Sequence, residues 1–349
     1  MVTTKDIAVH LQLSVSTVGR ALADDARISE QTKARVRQAA SELGYVGNHA
    51  ARMMRGAPSN VVGLVIPDIR NSFYFTIAHE LSAIMASEDY QLMLAETFDD
   101  RLIERRHLRE MSASHVAGVM IAPTPAPHTD SVNLLRGMPH VQLLRSHSSL
   151  GAQWFGLDEH RALKDATTHL LDLGHTRIAY VGAQADLPTG RERLEGYRQA
   201  LQDHGISPQS ELVELGPPAS PEHAREAARR LLDLPSPPTA VVLGSVLHTV
   251  GMLDGLLEMG VDVPTDLSVV GFGDQTGFSW WGPGLTTVSL PIGDVATSCG
   301  LWFIRRLNNP PAGNDPYESV SVGWLVLRGS TAAPRHQYLT PPVTSKLSA

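Results

Sequence analysis

Cysteine is nearly absent: Cys299 is the only thiol in 349 residues. This excludes an intramolecular disulfide and any cysteine-based zinc cluster, fits a reducing compartment, and makes the lone cysteine a small buried apolar residue. Long apolar runs are missing too. The longest, such as Val61 to Pro67 and Gly118 to Pro123, fall far short of the ~18 residues that span a bilayer. No apolar stretch with a cleavage signal follows Met1, so the expectation is a soluble, cytoplasmic protein with no membrane partner. Catalytic signatures are likewise lacking, with neither a Gly-x-Ser-x-Gly elbow nor a Gly-x-x-x-x-Gly-Lys phosphate loop. Gly271-Phe272-Gly273 with Gly277 has the wrong spacing for a dinucleotide fingerprint, and no helix start follows Trp280-Trp281-Gly282-Pro283. His79-Glu80 lacks the second histidine of a zinc helix, and the fifteen histidines are scattered. The reading is a protein that is no enzyme, with no metal and no cofactor.

Hydrophobic residues make up 42% and charged residues 19%, enough to bury a core, and the length favours two or three domains. The net charge of -7 is unevenly spread. Residues 1–60 hold eight Lys and Arg against five Asp and Glu, a surplus of three positive charges, so the remainder carries -10. A short basic segment on an acidic body is the footprint of a DNA-binding head.

Local signals in that segment give three helices. Thr3 and Asp6 form a capping-box pattern ahead of Ile7, Ala8 and Leu11, predicting a first helix over roughly Thr4 to Leu11. Ser14 caps a second over Val15 to Leu22, with Val18 and Leu22 inward and Val15, Ser16 and Arg20 outward. Only Gln12 and Leu13 separate the two. Ser29 caps a third, in which Val36, Ala39, Ala40 and Leu43 follow the i, i+3, i+4, i+7 pattern until Gly44 stops it. Three helices with one tight turn suggest a helix-turn-helix unit whose second helix enters the major groove.

Thr4-Lys5-Asp6-Ile7-Ala8, Leu13-Ser14-Val15-Ser16-Thr17-Val18-Gly19-Arg20-Ala21-Leu22 and Leu43-Gly44-Tyr45 resemble the head of the LacI/GalR family of transcriptional regulators. Asn48-His49-Ala50-Ala51-Arg52-Met53-Met54 resembles that family's hinge helix, written Pro-Asn-x-x-Ala-Arg-x-Leu, with Gly47 in place of the proline and Met54 in place of the leucine. The resemblance implies DNA contacts by Ser14, Val15, Ser16, Thr17 and Arg20, and by Asn48, Ala51 and Met54 in the hinge. Val15, Ser16 and Arg20 would read base edges, Arg20 being suited to guanine, and Thr17 would meet the backbone or groove edge. Met54 would wedge between base pairs in the minor groove. Gly19 stands where the family has a serine that contacts a phosphate, and Gly47 weakens hinge initiation.

Beyond Gly56-Ala57-Pro58-Ser59 the chain alternates strand-like and helix-like runs. Val61–Ile66, Gln91–Ala95, Gly118–Ala122 and His140–Leu144 form one strand series. Ile178–Val181, Leu212–Leu215, Ala240–Leu243 and Leu267–Phe272 form another. The expected fold is therefore an all-α helix-turn-helix head on an α/β body of two doubly wound parallel-sheet lobes, with the ligand at the carboxyl ends of strands. Val65-Ile66-Pro67-Asp68-Ile69-Arg70-Asn71-Ser72-Phe73-Tyr74, Leu173-Gly174-His175-Thr176-Arg177-Ile178, Arg191-Glu192-Arg193-Leu194-Glu195-Gly196-Tyr197, Val269-Val270-Gly271-Phe272 and Leu285-Thr286-Thr287-Val288 extend the resemblance to that family's effector domain, which is similar to periplasmic sugar-binding proteins.

The expected divisions are a head over 1–46, a hinge helix and linker over 47–60, a two-lobed effector-binding and dimerisation domain over 61–335, and a flexible tail over 336–349. The resemblance implies a small-molecule effector held by Arg193 and Arg145, covered by Phe73 and Tyr74, stacked on Trp280 or Trp281, and contacted by Ser245 and Asp274. Phe272-Gly273-Asp274 and Ser245-Val246 depart from the family pattern by losing an acidic residue each. The expectation is a pocket poor in carboxylates and suited to a sugar, a sugar derivative or a sugar acid, with a nucleobase or other metabolite acting as co-repressor as the alternative. Together these features predict a repressor that binds a pseudo-palindromic, double-stranded operator as a homodimer. The Pro341-Pro342 tail has no apolar heptads for a tetramerising helix.

Overall fold

The computed structural model describes residues 2–45, 59–310 and 316–335. The expected hinge contacts Asn48, Ala51 and Met54, together with Gly47 and the tail, lie outside them. The chain divides between Ser59 and Asn60 into two units.

In the first unit, α1 (Thr4–Leu11), α2 (Val15–Leu22) and α3 (Glu30–Glu42) start where local chemistry dictates. The Asp6 carboxylate accepts from both the Thr3 amide and the Thr3 hydroxyl at 2.7 Å. Ser14 accepts from the Thr17 amide and Ser29 from the Thr32 amide, each satisfying an orphan donor of a first turn. Gln12 adopts a left-handed backbone (φ 53°), which reverses the chain between α1 and α2 within three residues. Ile7, Ala8, Val18, Ala21, Val36, Ala39 and Ala40 close the core, with Leu11, Leu22 and Leu43 packed against it. Lys33 is buried beneath Asp24 and Glu30, its ammonium 3.1 and 2.7 Å from their carboxylates.

The second unit contains two six-stranded sheets. The first lobe runs β1 (Val61–Ile66), α4 (Ser72–Ser87), β2 (Gln91–Glu96), α5 (Arg101–Ala113), β3 (Gly118–Ile121), α6 (Thr129–Arg136), β4 (His140–Leu143) and β5 (Gln153–Leu157). The chain then crosses into the second lobe: α7 (Glu159–Asp172), β6 (Ile178–Ala183), α8 (Pro188–Asp203), β7 (Val213–Gly216), α9 (Pro221–Leu232), β8 (Ala240–Leu243), α10 (Val246–Glu258), β9 (Ser268–Phe272) and β10 (Thr286–Ser289). It returns to the first lobe for α11 (Ile292–Asn308) and β11 (Tyr317–Ser321), and crosses once more for β12 (Trp324–Val326). The strand orders are β2-β1-β3-β4-β5-β11 and β7-β6-β8-β9-β10-β12. Every pairing is parallel except β10 with β12. Strand β1 reads VVGLVI because helices cover both faces of a parallel sheet, leaving no solvated face to fill with polar residues.

The three crossings run side by side. The Asp158 amide donates to the Ser321 carbonyl at 3.0 Å. Gly323 lies so close to Ser289 and Leu290 that a Cβ there would fall 2.6 Å from the Leu290 side chain and 2.8 Å from the Ser289 carbonyl. The first lobe is therefore not one sequence interval: α11 packs on α4, β4 and β5, and β11 forms its edge. Cys299 is fully buried within α11, and burial pushes its thiol pKa well up.

Candidate functional site

On the head, α2 presents Ser14, Val15, Ser16 and Arg20 outward, with Thr17 half-buried beside the buried Val18. The Ser14 hydroxyl lies 2.9 Å from that of Ser16 and 2.7 Å from that of Thr17. These bonds tie the first turn of α2 to its cap. Val15 remains 47% exposed, an apolar side chain outside the core of the head.

In the body, a cavity of about 420 Å³ opens at the carboxyl ends of strands from both sheets. From the first lobe, Pro67 and Asp68 follow β1, Phe98 and Asp99 follow β2, Leu144 and Arg145 follow β4, and Phe73 and Tyr74 come from the first turn of α4. From the second, Ala183 ends β6 and Gln184 follows it, Pro217 and Pro218 follow β7, Ser245 and Val246 follow β8, Glu159 opens α7 and Arg193 projects from α8. Phe98, Asp99 and Leu144 hold left-handed backbone (φ 52°, 59° and 58°), a costly state for residues with a Cβ. Such strain accumulates where side-chain direction matters more than local comfort.

One fully buried ion pair and one half-buried pair dominate the electrostatics. Arg193 donates from Nε and Nη2 to the two oxygens of Glu159, both at 2.7 Å, and from Nη1 to the Gly244 carbonyl at 2.7 Å. Its guanidinium lies 4.1 Å over the Phe272 ring, and Phe272 in turn packs on Phe73. Burial alone would lower the Arg193 pKa, but Glu159 outweighs it and the net shift is upward. Arg145 pairs with Asp99 and shows the same net rise. Tyr74 lies within the electrostatic reach of both pairs, and burial raises its phenol pKa. At the rim, Arg70 forms a two-pronged pair with Asp68, which holds that carboxylate below its usual pKa.

Five of the seven expected effector residues, Phe73, Tyr74, Arg145, Arg193 and Ser245, are thus brought to one cavity. The other two are not. Asp274 accepts from Arg328 at 2.8 and 3.0 Å and from the Thr287 hydroxyl at 2.9 Å, so its carboxylate is spent within the second lobe. Trp280 is 77% exposed on a turn outside the cavity lining, and Trp281 packs against the core. Gly273 explains the turn, because it has φ 77° and a Cβ there would fall 2.6 Å from Val246 and 3.0 Å from Phe73. The expectation of a carboxylate-poor pocket is also overturned, since Asp68, Asp99 and Glu159 pair with Arg70, Arg145 and Arg193, and Asp186 lines the cavity as well. None of the four was expected; Glu159 and Asp99 join the site through partners 34 and 46 residues away, which sequence spacing does not reveal.

Residues 3–48 match the model of the bacterial regulatory proteins of the lacI family, and residues 167–331 match a periplasmic binding protein-like domain. The chain belongs to the lacI family. Like other members, it is a DNA-binding transcriptional regulator of the repressor type. The HTH-type transcriptional repressor CytR of Escherichia coli (strain K12) is 27% identical over 95% of this lacI-family chain and 96% of its own length. A solved complex of the transcriptional regulator CelR with cellobiose is 26% identical, with a TM-score of 0.70 over 95% of this chain and 100% of that one. The Lac repressor dimer bound to operator shares the fold at 21% identity, with a TM-score of 0.82 over 95% and 99%. No helix among the described residues is long and apolar enough to cross a membrane, and no group of three or more metal-ligating residues is found among them.

Proposed function

We propose that this lacI-family protein is a homodimeric repressor of a pseudo-palindromic operator, and that a sugar or sugar derivative bound between the lobes changes its affinity for DNA. The observation that carries this reading is the convergence of Arg145 from one lobe and Arg193 from the other on a single cavity at the strand ends. Planar donor forks with neighbouring carboxylates suit vicinal hydroxyls, each of which both accepts and donates. The cellobiose complex of a relative is consistent with such a ligand. In the head, Val15, Ser16 and Arg20 read bases while Thr17 meets the backbone; Asn48, Ala51 and Met54 complete the contact in the minor groove. Effector and operator then oppose each other by one shared coupling energy.

The test is selection of duplex DNA from a randomised library by the full chain, followed by titration of the complex with neutral sugars. An inverted repeat should emerge, and one sugar class should shift binding in the parent but not in Arg193→Met. Arg20→Ala should relax preference at one base of each half-site, with a loss of about 1–3 kcal/mol on the parent site. A site without symmetry, or a sugar response that survives loss of both Arg145 and Arg193, would overturn the proposal.

A further inference from the structure

The cavity contains arginines, yet none of its three guanidiniums is electrostatically open: Arg70, Arg145 and Arg193 are each paired with a carboxylate, and Asp186 adds a fourth negative charge. We infer that Glu159 and Asp99 act as a charge screen that makes the cavity accept neutral hydroxylated ligands and reject anions. The inference rests on this cavity being the effector site and adds the charge class of its ligand.

Glu159 is 2% exposed and is matched tooth for tooth by Arg193. A ligand carboxylate, sulfate or phosphate that took over that fork would strand Glu159 in a buried site with no counter-charge, and an uncompensated buried charge is among the costliest defects a protein can carry. A hydroxyl faces no such barrier. Arg193 uses three of its five N–H groups on Glu159 and Gly244, which leaves two to donate. The adjacent Glu159 oxygens keep lone pairs to accept, so the intact pair offers a donor beside an acceptor, the pattern a hydroxyl complements. Asp99 plays a weaker version of this part on the opposite lobe: it pairs with Arg145, which is 6% exposed, but its own side chain is 31% exposed, so stranding it costs less than stranding Glu159. Selectivity here comes from an element that repels the wrong ligand as much as from one that attracts the right one.

The full-length protein is titrated with inorganic sulfate at constant ionic strength by isothermal calorimetry. The parent should show no saturable heat. Glu159→Gln should bind sulfate at least tenfold more tightly than the parent, and the gain should vanish in Glu159→Gln/Arg193→Met. Asp99→Asn provides an independent reading on the first lobe: it should gain sulfate through Arg145 and lose it in Asp99→Asn/Arg145→Met, whether or not Glu159→Gln folds. Sulfate binding by the parent equal to that of the variants, no gain in the folded variants, or a gain that persists without the arginine overturns the screen. A gain without any sugar response in the operator assay would instead leave the screen standing and remove the effector reading, so the two failures are distinct.

Discussion

Gly19 has no steric reason to be glycine, since a Cβ at that position in α2 would meet nothing within 4 Å. Gly19→Ser should therefore stabilise α2 by about 0.5 kcal/mol through helix propensity alone. It would also return a hydroxyl to the surface proposed to face the phosphates. Tighter operator binding in an anisotropy titration, with unchanged base preference, is the expected result. At this scale the legible residues were those whose partners are near in sequence. Ser14 and Ser29 cap their helices as expected because a cap needs only the next three residues. Glu159 escaped notice because its partner is 34 residues away, and Asp99 because Arg145 is 46 away. Asp274 and Trp280 misled for a related reason: a motif identifies a position, while the left-handed Gly273 decides where the chain turns next.

Among the elements, α10 carries the feature most sensitive to pH. His248 near its start is fully buried and its Nε2 lies 2.9 Å from the Pro217 carbonyl, which can only accept, so Nε2 carries the proton. Its Nδ1 is buried without a hydrogen-bond partner among the described residues, and the His223 ring lies 5.6 Å away. Burial lowers the His248 pKa from 6.5 to about 4. The unfolded chain therefore takes up this proton first, and stability that is complete above pH 6.5 is lost as the pH falls toward 4. The contribution is about 3 kcal/mol across that window. Urea midpoints at pH 7.5 and pH 5 should differ less in His248→Gln than in the parent; an equal difference would place the sensitivity elsewhere. Helices and most strands were legible from period and apolar runs, whereas β5, β10, β11 and β12 were not. Gln153–Leu157 (QWFGL) and Thr286–Ser289 (TTVS) carry polar residues and no extended apolar run, and the exposed edges Tyr317–Ser321 and Trp324–Val326 lack the buried-strand pattern because one side of each faces solvent.

For the whole molecule, the proposed dimer demands surface that a monomer would not leave bare. Leu257 on α10 is 74% exposed, Phe75 on α4 is 60% exposed, and Met93 and Leu94 stand out from the edge strand β2. Leu257→Lys should move the protein toward monomer in sedimentation and lower operator affinity far more than single-head affinity, since two half-sites then bind independently. An unchanged sedimentation profile would remove Leu257 from the interface. The two lobes as such were legible, but their division along the chain was not, because nothing local in α11 or β11 announces that they pack against elements some 200 residues earlier. This arrangement has a consequence during synthesis. The first half of the body can leave the ribosome long before its own sheet can close, because the closing strand, Tyr317–Ser321, is made only after strands β6 to β10 of the second lobe. Until then the edge of β5 and the face of α4 are open, so the nascent protein passes through an extended period in which capture by a chaperone or by another chain competes with completion.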